Sequence, residues 1–593
     1  MPNFVLGEDS HIRYALPMAS PATAHRNLQS TNFNASDTKE SLQLIPDDSR
    51  SANLQAALGI ALLAVAILNV GFQVVWFWRF SAHNINADAV SYIGIARHLA
   101  DGNLHASLHG YWSPLISWCI AASSIFTHDF VLLGHIVSIG SFLICLPLLY
   151  LLTFRLWQSR LLAAISVLCF TLSRGVIAFS VSFIGADFLL TGAVLCYFLL
   201  LLRCLETSKR GRWFLLGTAH ALAFLAKAFA MPWLALSTIA AAVASGKRNP
   251  RAIATSMIWG LAIPILVWSS WGLILGTKYG RFTAGYQSKW NLLDTETKRS
   301  MGSTGLLFLR DMSHSIDGYM VGDSMYPGSD LWNAHIRISR TVRQAFRNEL
   351  HNLPEAVKQI AILLTPGGVL AFVWCLFSKR KKQCPSKKQL AWLIMFNSIT
   401  LVFGYCMLVF DSRYVLPLVP VWIAFAVRFL FPDKRIHGSS SPHSVPLILY
   451  TGSIFFFLIY WASPFRTMQR DYQTSIYAAA MDLQGMAACN RLIVIGKGPF
   501  PEHGVGWEAG LYASFFAGCR VVAFNEDLPT ESSIQSALAD VNQIQPNAIL
   551  VLGPPQSRQL TGLVGRLMDA QIAHHSASLS DGRVGKIGEL LWK

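Results

Sequence analysis

Long apolar runs separated by short polar loops dominate the chain from residue 54 to residue 463. A helix needs about 20 mostly apolar residues to cross a bilayer, and a helix satisfies its own backbone inside the hydrocarbon. The pattern therefore predicts a transmembrane domain over residues 54–463. Its eleven predicted spans are Leu54–Trp78, Phe130–Phe154, Leu161–Phe183, Phe188–Leu202, Trp213–Ala226, Ala228–Ala244, Ala252–Gly276, Gln359–Phe377, Leu390–Phe410, Tyr414–Phe431 and Val445–Ser463.

The composition agrees with a protein that spans a membrane many times. Hydrophobic residues make up 53 % of the chain and charged residues only 13 %, whereas a soluble domain typically has roughly 25 % charged residues. The formal net charge is +16, but Lys and Arg cluster in the short loops between apolar runs. Because the sequence has no basic-aromatic module, we expect no nucleic-acid partner.

The positive loops predict the orientation of the chain, because Lys and Arg are enriched in cytoplasmic loops. One topology places all five positive loops inside, namely residues 155–160, 209–212, 247–248, 379–388 and 434–435. In it, polar residues 1–53 form a flexible cytoplasmic tail that lacks a cleavable signal peptide. Residues 79–129, 277–357 and 464–593 then face the exterior. The prediction is a multi-pass plasma (inner) membrane protein with an exterior, periplasmic C-terminal domain.

The first exterior segment carries two apolar stretches. Residues 88–100 place Ala89, Tyr92, Ile93, Ala96 and Leu99 on one helical stripe, which predicts an amphipathic helix at the membrane interface. Asn84 or Asn86 is expected to cap this helix. Residues 111–126 are shorter and richer in Ser, which favours a re-entrant or juxtamembrane helix.

The C-terminal residues 464–593 change character. Strand-like runs at residues 492–496, 520–524 and 548–553 alternate with helical patterns such as residues 531–544, which predicts a soluble α/β domain. The segment at residues 496–498 is Gly-Lys-Gly, which is not a dinucleotide fingerprint, so no nucleotide site is predicted. Cys489 and Cys519 form a disulfide if the domain is exterior; two free thiols are the alternative.

Six charged residues next to predicted spans share one sidedness, and such residues are functional candidates in a membrane protein. They lie at the exterior ends of their spans or loops: Asp88, Arg174, Asp187, Lys227, Asp411 and Arg413. A site made at one membrane face from several helix ends suits a substrate that is half lipid and half polar.

Each of these residues also has a purely structural explanation. Asp88 is a suitable helix cap, and Lys227 could extend to the headgroups. Asp187 could be only a buried partner of Arg174. The remaining two residues, Asp411 and Arg413, could be an interfacial loop pair.

Several ordered motifs resemble the C-type (GT-C) membrane glycosyltransferases. The motif at residues 88–104 is similar to their first exterior loop, closest to the branch of protein O-mannosyltransferases and the lipid A aminoarabinose transferase. Residues 110–112 (Gly-Tyr-Trp) resemble the start of the family's second interfacial helix, and residues 184–187 its second acidic motif. Residues 222–227 and 413–420 resemble a stretch ending in Lys and a late Arg-Tyr-x-x-Pro element.

Two departures from the family pattern concern the site itself. The branch often has Asp-Glu where this chain has Asp88-Ala89, so a second acid is missing. It often has Lys-Pro before Tyr-Trp, where this chain has Leu108, His109 and Gly110. A cation expected near the lipid phosphate is therefore absent or supplied from elsewhere.

The resemblance implies an enzyme that moves a sugar from a polyprenyl-phosphate donor to an exterior lipid, glycan or protein acceptor. It implies catalytic roles for Asp88, as the base that takes the acceptor's proton, and for Asp187, which orients the acceptor or a cation. Substrate-binding residues are expected to be Tyr92, Arg97, Tyr111, Trp112, Arg174, Lys227, Asp411, Arg413 and Tyr414. No metal ligands are predicted, although a divalent cation stays open. The other expected partner is the bilayer.

Two other functions remain compatible with the sequence. A transporter or flippase of lipid-linked glycans typically has ionisable residues near the bilayer midplane, within internal repeats. A catalytically inactive relative of the same family would keep the fold. An outward cavity that both Asp88 and Asp187 face favours the enzyme, whereas a midplane cavity favours transport.

Overall fold

The structure is a computed structural model. The chain divides into two units, Met1–Leu54 and Gln55–Lys593. In the first unit only residues 48–54 are described, and they are helical. In the second unit the described residues are 55–81, 85–172, 176, 180–207, 209–246, 249–285, 310–311, 352–354, 385–407, 412–430, 476–478, 480–481, 491–496, 512–513, 515–518, 521–525, 528–553, 558–581 and 585–592.

Helices form most of the described chain up to residue 430. They are α1 (Asp48–Ser81), α2 (Ala87–Ala100), α3 (Leu104–Ser107), α4 (Leu115–Ser123), α5 (Phe130–Trp157), α6 (Arg160–Leu172), α7 (Asp187–Glu206), α8 (Arg210–Ala226), α9 (Ala230–Ser245), α10 (Pro250–Tyr279) and α11 (Pro385–Cys406). A 3-10 helix at Ser412–Leu418 then leads into α12 (Val419–Leu430).

Five segments within the described residues are long and apolar enough to cross a bilayer. They are Asn53–Trp76, Phe130–Trp157, Asp187–Glu206, Pro250–Tyr279 and Gln389–Cys406. The chain is therefore a multi-pass membrane protein. Two predicted spans, Gln359–Phe377 and Val445–Ser463, lie outside the described residues. At four others, the described helices α6, α8, α9 and α12 have 13, 17, 16 and 12 residues and are shorter than these five segments. The total of eleven therefore stays a prediction.

Local sequence signals explain where the helices begin and end. Asp129 starts α5, and its Oδ1 accepts hydrogen bonds from the backbone N–H groups of Val131 and Leu132. Asn249 starts α10 in the same way, ahead of Pro250 at the first helical position. Gly280, at φ +67°, ends α10 in the left-handed conformation that favours glycine.

Small residues and buried polar groups hold the helices together. A Cβ on Gly217 of α8 would lie 2.8 Å from the carbonyl oxygen of Gly260 in α10, so glycine permits this close backbone approach. A second contact joins α7, α9 and α11: the Tyr197 hydroxyl donates to Ser237 Oγ at 2.9 Å, and Asn397 Nδ2 donates to the same oxygen at 2.9 Å. These contacts fix the bundle from which the site is built.

The helix predicted over residues 88–100 is present as α2, and Asn86 marks its start. Asn86 occupies the N-cap position, and its side chain makes no capping hydrogen bond. Instead, Asn86 Oδ1 accepts from the backbone N–H of Ile184 at 3.0 Å. Asn86 is thus the N-cap residue, as predicted, but it caps through its backbone carbonyl and not through its side chain; Asn84 lies outside the described residues. The bond ties the beginning of α2 to the chain just before α7.

The C-terminal residues contribute five strands of a six-stranded sheet. The strands are β1 (Arg310–Asp311), β2 (Leu492–Ile495), β3 (Val521–Asn525), β4 (Ala548–Leu552), β5 (His575–Asp581) and β6 (Gly585–Trp592). Their order is β1-β3-β2-β4-β6-β5, with β3, β2 and β4 parallel and the remaining pairs antiparallel. The three predicted strands form this parallel centre. The edge strand β1 comes from residues 277–357, the second of the segments predicted to be exterior.

Both faces of the parallel centre are covered, which explains its continuous apolar runs. On one face, Ile493 and Val551 pack with residues of α13 (Ile534–Ile544) and α14 (Arg558–Asp569). On the other, Val494 and Leu550 belong to a buried cluster that also contains Ile93 of α2. The limits of a separate domain over residues 464–593 remain a prediction, and Cys489 and Cys519 lie outside the described residues.

Candidate active site

A cavity of about 320 Å³ opens where α2, the ends of α8 and α10, and the 3-10 helix meet. Its size lies at the lower end of the usual range for small-molecule sites. Charged and aromatic side chains, with a few small residues, form its wall: Asp88, Tyr92, His109, Gly110, Tyr111, Trp112, Ser113, Phe224, Lys227, Ala228, Phe229, Met231, Pro232, Trp268, Trp271, Ala284, Gly285, Tyr405, Arg413 and Tyr414.

Asp88 and Arg413 form an ion pair in the cavity wall. Asp88 lies in the first turn of α2, where a negative charge is favoured by the helix dipole. Arg413 Nη1 lies 2.5 Å from Asp88 Oδ2, and the two side chains are 13 % and 22 % exposed respectively. The Arg413 guanidinium also lies over the ring of Phe183, at 5.0 Å from its centroid. Because Asp88 takes this partner, its role is not limited to stabilising the start of α2.

Lys227 and Asp187 form a second, more buried ion pair. Lys227 directly follows α8, and its Nζ lies 2.6 Å from Oδ1 of Asp187 in the first turn of α7. Lys227 lines the cavity, while the Asp187 side chain is only 7 % exposed. Gly185 leaves room for that carboxylate, since a Cβ there would lie 2.9 Å from Asp187 Oδ2. The observed partner of Asp187 is thus Lys227, and Arg174 lies outside the described residues.

The ring of Tyr414 links the two ion pairs. Lys227 Nζ lies 4.8 Å from its centroid, and Arg413 Cζ lies 5.4 Å from it. Both distances are within the range of cation–π attraction. The ring of Tyr405, from α11, stacks on the ring of Tyr414, with the two centroids 4.3 Å apart and an interplanar angle of 17°. Two cations are therefore held close together on one aromatic support.

A second aromatic group faces the cavity from α2 and the following loop. Tyr92 lies four residues after Asp88, on the same side of the helix. Its ring meets Trp112 edge-on at 5.1 Å, and Trp112 meets Tyr111 at 4.7 Å. Burial, and then the charges of Asp88 and Asp187, raise the pKa of Tyr92 well above its ordinary value. Tyr92 therefore keeps its hydroxyl proton and can donate it in a hydrogen bond.

The segment that departs from the family's Lys-Pro pattern has a structural role of its own. His109 is buried, and its Nδ1 accepts from the backbone N–H groups of Tyr111 and Trp112 at 3.1 and 3.3 Å. The Gly110 N–H donates to the hydroxyl of Tyr279 at the end of α10, at 3.0 Å. These bonds fix the aromatic loop against the cavity. Sequence reasoning noted the departure but did not identify His109 or Tyr279 as supports.

Gly285, which follows α10, lines the cavity and packs closely against Gly110. Its φ is +120°, and a Cβ would lie 2.5 Å from the carbonyl oxygen of Gly110. Only glycine combines this backbone conformation with so close an approach. The residues that follow α10 therefore supply part of the wall.

The structure brings most of the predicted site residues together. Those lining the cavity are Asp88, Tyr92, Tyr111, Trp112, Lys227, Arg413 and Tyr414, while Asp187 reaches it through Lys227. Arg97 is not in this wall and instead faces the rings of Phe130 and Phe515. Arg174 and Asp411 lie outside the described residues.

Sequence reasoning missed the aromatic residues supplied by the membrane helices. Phe229, Trp268, Trp271 and Tyr405 line the cavity, but each lies in or next to an apolar run and looks like part of a span. No local signal separates a cavity-facing aromatic residue from a lipid-facing one. Within the described residues, no three His, Cys, Asp or Glu side chains come close enough to hold a metal ion.

Comparison with known proteins identifies the fold. No family model and no curated protein sequence matches the chain. Two solved structures of ArnT from Cupriavidus metallidurans do, one bound to undecaprenyl phosphate and one in the apo state. Each has a TM-score of 0.50 and 11 % identity, over 90 % of this chain and 97 % of ArnT. The chain thus has the fold of ArnT, a GT-C transferase, which confirms the resemblance expected from the motifs.

Proposed function

We propose that the chain is a membrane glycosyltransferase that moves a sugar from a polyprenyl-phosphate donor to an acceptor outside the cytoplasm. The observation that carries this proposal is that one carboxylate, Asp88, and two cations, Lys227 and Arg413, line the same cavity. Sugar transfer from a lipid phosphate needs a base for the acceptor and positive charge for the departing phosphate. Support also comes from the shared fold, since ArnT was solved with undecaprenyl phosphate bound.

In the proposed reaction, the acceptor oxygen forms a bond to the anomeric carbon from the side opposite the phosphate. The bond from that carbon to the phosphate oxygen breaks, and the oxygen leaves with the bonding electron pair. The acceptor's proton passes to a carboxylate oxygen of Asp88. Inversion at the anomeric carbon is the expectation from the GT-C resemblance.

The two cations are assigned to the donor phosphate. Both lie beside the Tyr414 ring, so a phosphate placed there would meet positive charge from two different elements. These residues also replace the cation that the Lys-Pro motif supplies elsewhere in the family. Asp187 acts behind Lys227: its buried carboxylate holds the ammonium at 2.6 Å and fixes where it points.

The Asp88–Arg413 pair has a consequence for the order of events. In the unliganded cavity, the proposed base is engaged by the proposed phosphate-binding cation. A donor phosphate that binds Arg413 replaces the carboxylate as its partner. Asp88 is then available to the acceptor hydroxyl, so donor binding prepares the base.

The aromatic wall is assigned to the sugar. Tyr111, Trp112 and Trp271 offer flat apolar faces to the cavity, next to the hydroxyl of Tyr92. Sites for small polar ligands commonly combine such faces with a few placed polar groups. The sugar and the acceptor are not specified by these contacts.

The orientation that we propose keeps the sequence-based topology. The N-terminus is cytoplasmic, and the cavity and the C-terminal α/β domain are exterior, with about eleven spans in total. The positively charged loops support this assignment. The lipid-borne donor would then reach the cavity from the bilayer, and the acceptor from outside.

The decisive experiment is a transfer assay with purified protein in lipid nanodiscs and a panel of polyprenyl-phosphate sugars. After wild-type transfer is established, Asp88→Asn should lower kcat by roughly 100- to 10,000-fold, the usual contribution of a general base. The matched control is Asp101→Asn, an exposed aspartate that ends the same helix, which should retain wild-type turnover.

Three outcomes would contradict the proposal. Full turnover by Asp88→Asn would show that Asp88 is not the base. A wild-type protein that transfers no sugar from any donor of the panel would favour an inactive relative. Movement of the intact donor across a proteoliposome membrane, without transfer, would favour a flippase.

A further inference from the structure

We propose that Arg97 is a positioning residue, which docks α2 onto the C-terminal segment around Phe515 and thereby holds Asp88 in place for transfer. This inference rests on the proposed function, because it concerns the aspartate assigned as the base. It gives Arg97 a role different from the substrate contact that the motif suggests.

Arg97 lies between two aromatic rings outside the cavity. Its Cζ is 4.6 Å from the ring centroid of Phe515 and 5.7 Å from that of Phe130, the first residue of α5. Guanidinium groups are attracted to ring faces at such distances. The side chain thus joins three parts of the chain: α2, α5 and the C-terminal segment.

The helical geometry explains why Arg97 does not reach the cavity. It follows Asp88 by nine residues, which is about two and a half turns at 3.6 residues per turn. The two side chains therefore leave α2 on opposite sides. They are also separated by roughly 14 Å along the helix axis at 1.5 Å per residue. Any effect of Arg97 on the reaction must pass through the helix.

An apolar contact beside Arg97 makes the same connection. Ile93 and Ala96 of α2 are fully buried, in one cluster with Tyr512 and Phe515. The same cluster continues into the sheet through Val494. The cluster also contains Tyr92 of the cavity wall. The buried residues of α2 therefore connect the C-terminal segment to the part of the helix that carries Asp88 and Tyr92. A shift of this contact moves the base.

The test compares variants that keep or remove each half of the cation–ring contact. Arg97→Gln removes the charge, and Phe515→Leu removes the ring but stays apolar. Arg97→Lys and Phe515→Trp keep a charge and a ring, and should restore most of the activity. We expect Arg97→Gln and Phe515→Leu to lower kcat by roughly 10- to 100-fold, the effect of misplacing a reacting group by about 1 Å.

The Michaelis constant for the donor should not rise above the wild-type value. The cations assigned to the phosphate, Lys227 and Arg413, lie on elements other than α2. Binding of polyprenyl phosphate, titrated without turnover, should also be no weaker than in the wild type. A rise of the donor KM with unchanged kcat would make Arg97 a substrate-binding residue and would overturn the proposal.

A double variant separates positioning from a general loss of structure. If Arg97 acts only through the base, Arg97→Gln should lower the residual rate of Asp88→Asn no further. A multiplicative loss in the double variant would refute this, and so would full turnover by a well-folded Arg97→Gln. Arg251→Gln, at an exposed arginine in the first turn of α10, is the matched control for folding and detergent stability.

The two proposals fail in different ways. Absence of transfer by the wild type contradicts the proposed function and leaves the docking contact to be judged by binding and stability. Transfer by the wild type that needs Asp88 but ignores Arg97 contradicts only the positioning role.

Discussion

The buried Lys227–Asp187 pair makes a quantitative prediction about stability. Asp187→Asn keeps the shape of the side chain and removes its charge, which leaves the Lys227 ammonium without its carboxylate partner at 2.6 Å. Breaking a buried ion pair on one side costs about 3–5 kcal/mol. Lys227 is 16 % exposed and opens on the cavity, so it can turn partly toward water. We therefore expect a cost of about 2–3 kcal/mol.

The measurement is an unfolding titration in mixed micelles, run on Asp187→Asn, Lys227→Met and the double variant. Each single variant leaves one buried charge behind, whereas the double variant leaves none. The double variant should thus be more stable than the sum of the single losses predicts, by about 1–3 kcal/mol. Asp101→Asn, at an exposed site, serves as the control that should leave stability unchanged.

Activity gives an independent readout of the same pair. Asp187→Asn should raise the donor KM, because the ammonium assigned to the phosphate loses the group that orients it. Additive losses of stability in the double variant, or an Asp187→Asn protein with wild-type stability and donor KM, would refute the reasoning.

Two further predictions concern the frame of the site. Gly285→Ala should lower both unfolding stability and turnover, since its Cβ would meet the Gly110 carbonyl at 2.5 Å and its φ is +120°; Gly71→Ala, with no atom within 4 Å of the new Cβ, should not lower stability. Asn86→Ala should cost about 1–3 kcal/mol, the price of leaving the buried Ile184 N–H without an acceptor; an unfolding midpoint equal to that of the wild type would show that this bond does not anchor α2.

Hydropathy predicts the membrane helices well because their length and composition are imposed by the bilayer itself. The segments at Phe130–Trp157, Asp187–Glu206 and Pro250–Tyr279 begin and end within a few residues of the predicted spans or their flanking caps. The parallel strands at Leu492–Ile495 and Ala548–Leu552 could be predicted equally well from the sequence, because strands buried on both faces must be apolar throughout.

Pairing in the site could not be predicted in the same way. Shared sidedness placed Asp88, Asp187, Lys227 and Arg413 at one face, but it did not say which acid meets which cation. Partner choice depends on the packing of helices far apart in the chain. The described partner of Asp187 is Lys227, 40 residues away, whereas its nearer candidate in sequence, Arg174, lies outside the described residues.

The case of Arg97 is different, because the sequence does contain the relevant information. The motif resemblance groups Asp88, Tyr92 and Arg97 in one stretch of sequence. Helical periodicity instead divides them, with Tyr92 on the side of Asp88 and Arg97 on the opposite side. The structure follows the periodicity.

The ion pair between Asp88 and Arg413 also limits how early the cavity can assemble during biosynthesis. Its two members are separated by 325 residues in the chain. At a synthesis rate of about 5–20 residues per second, the ribosome makes Arg413 roughly 16 to 65 s after Asp88. Helices α3 through α11 are synthesised during that interval, and until Arg413 is made the cavity lacks one of the three charged residues of its wall. The ion pair, and with it the complete charged wall of the cavity, can therefore form only after these helices have been made.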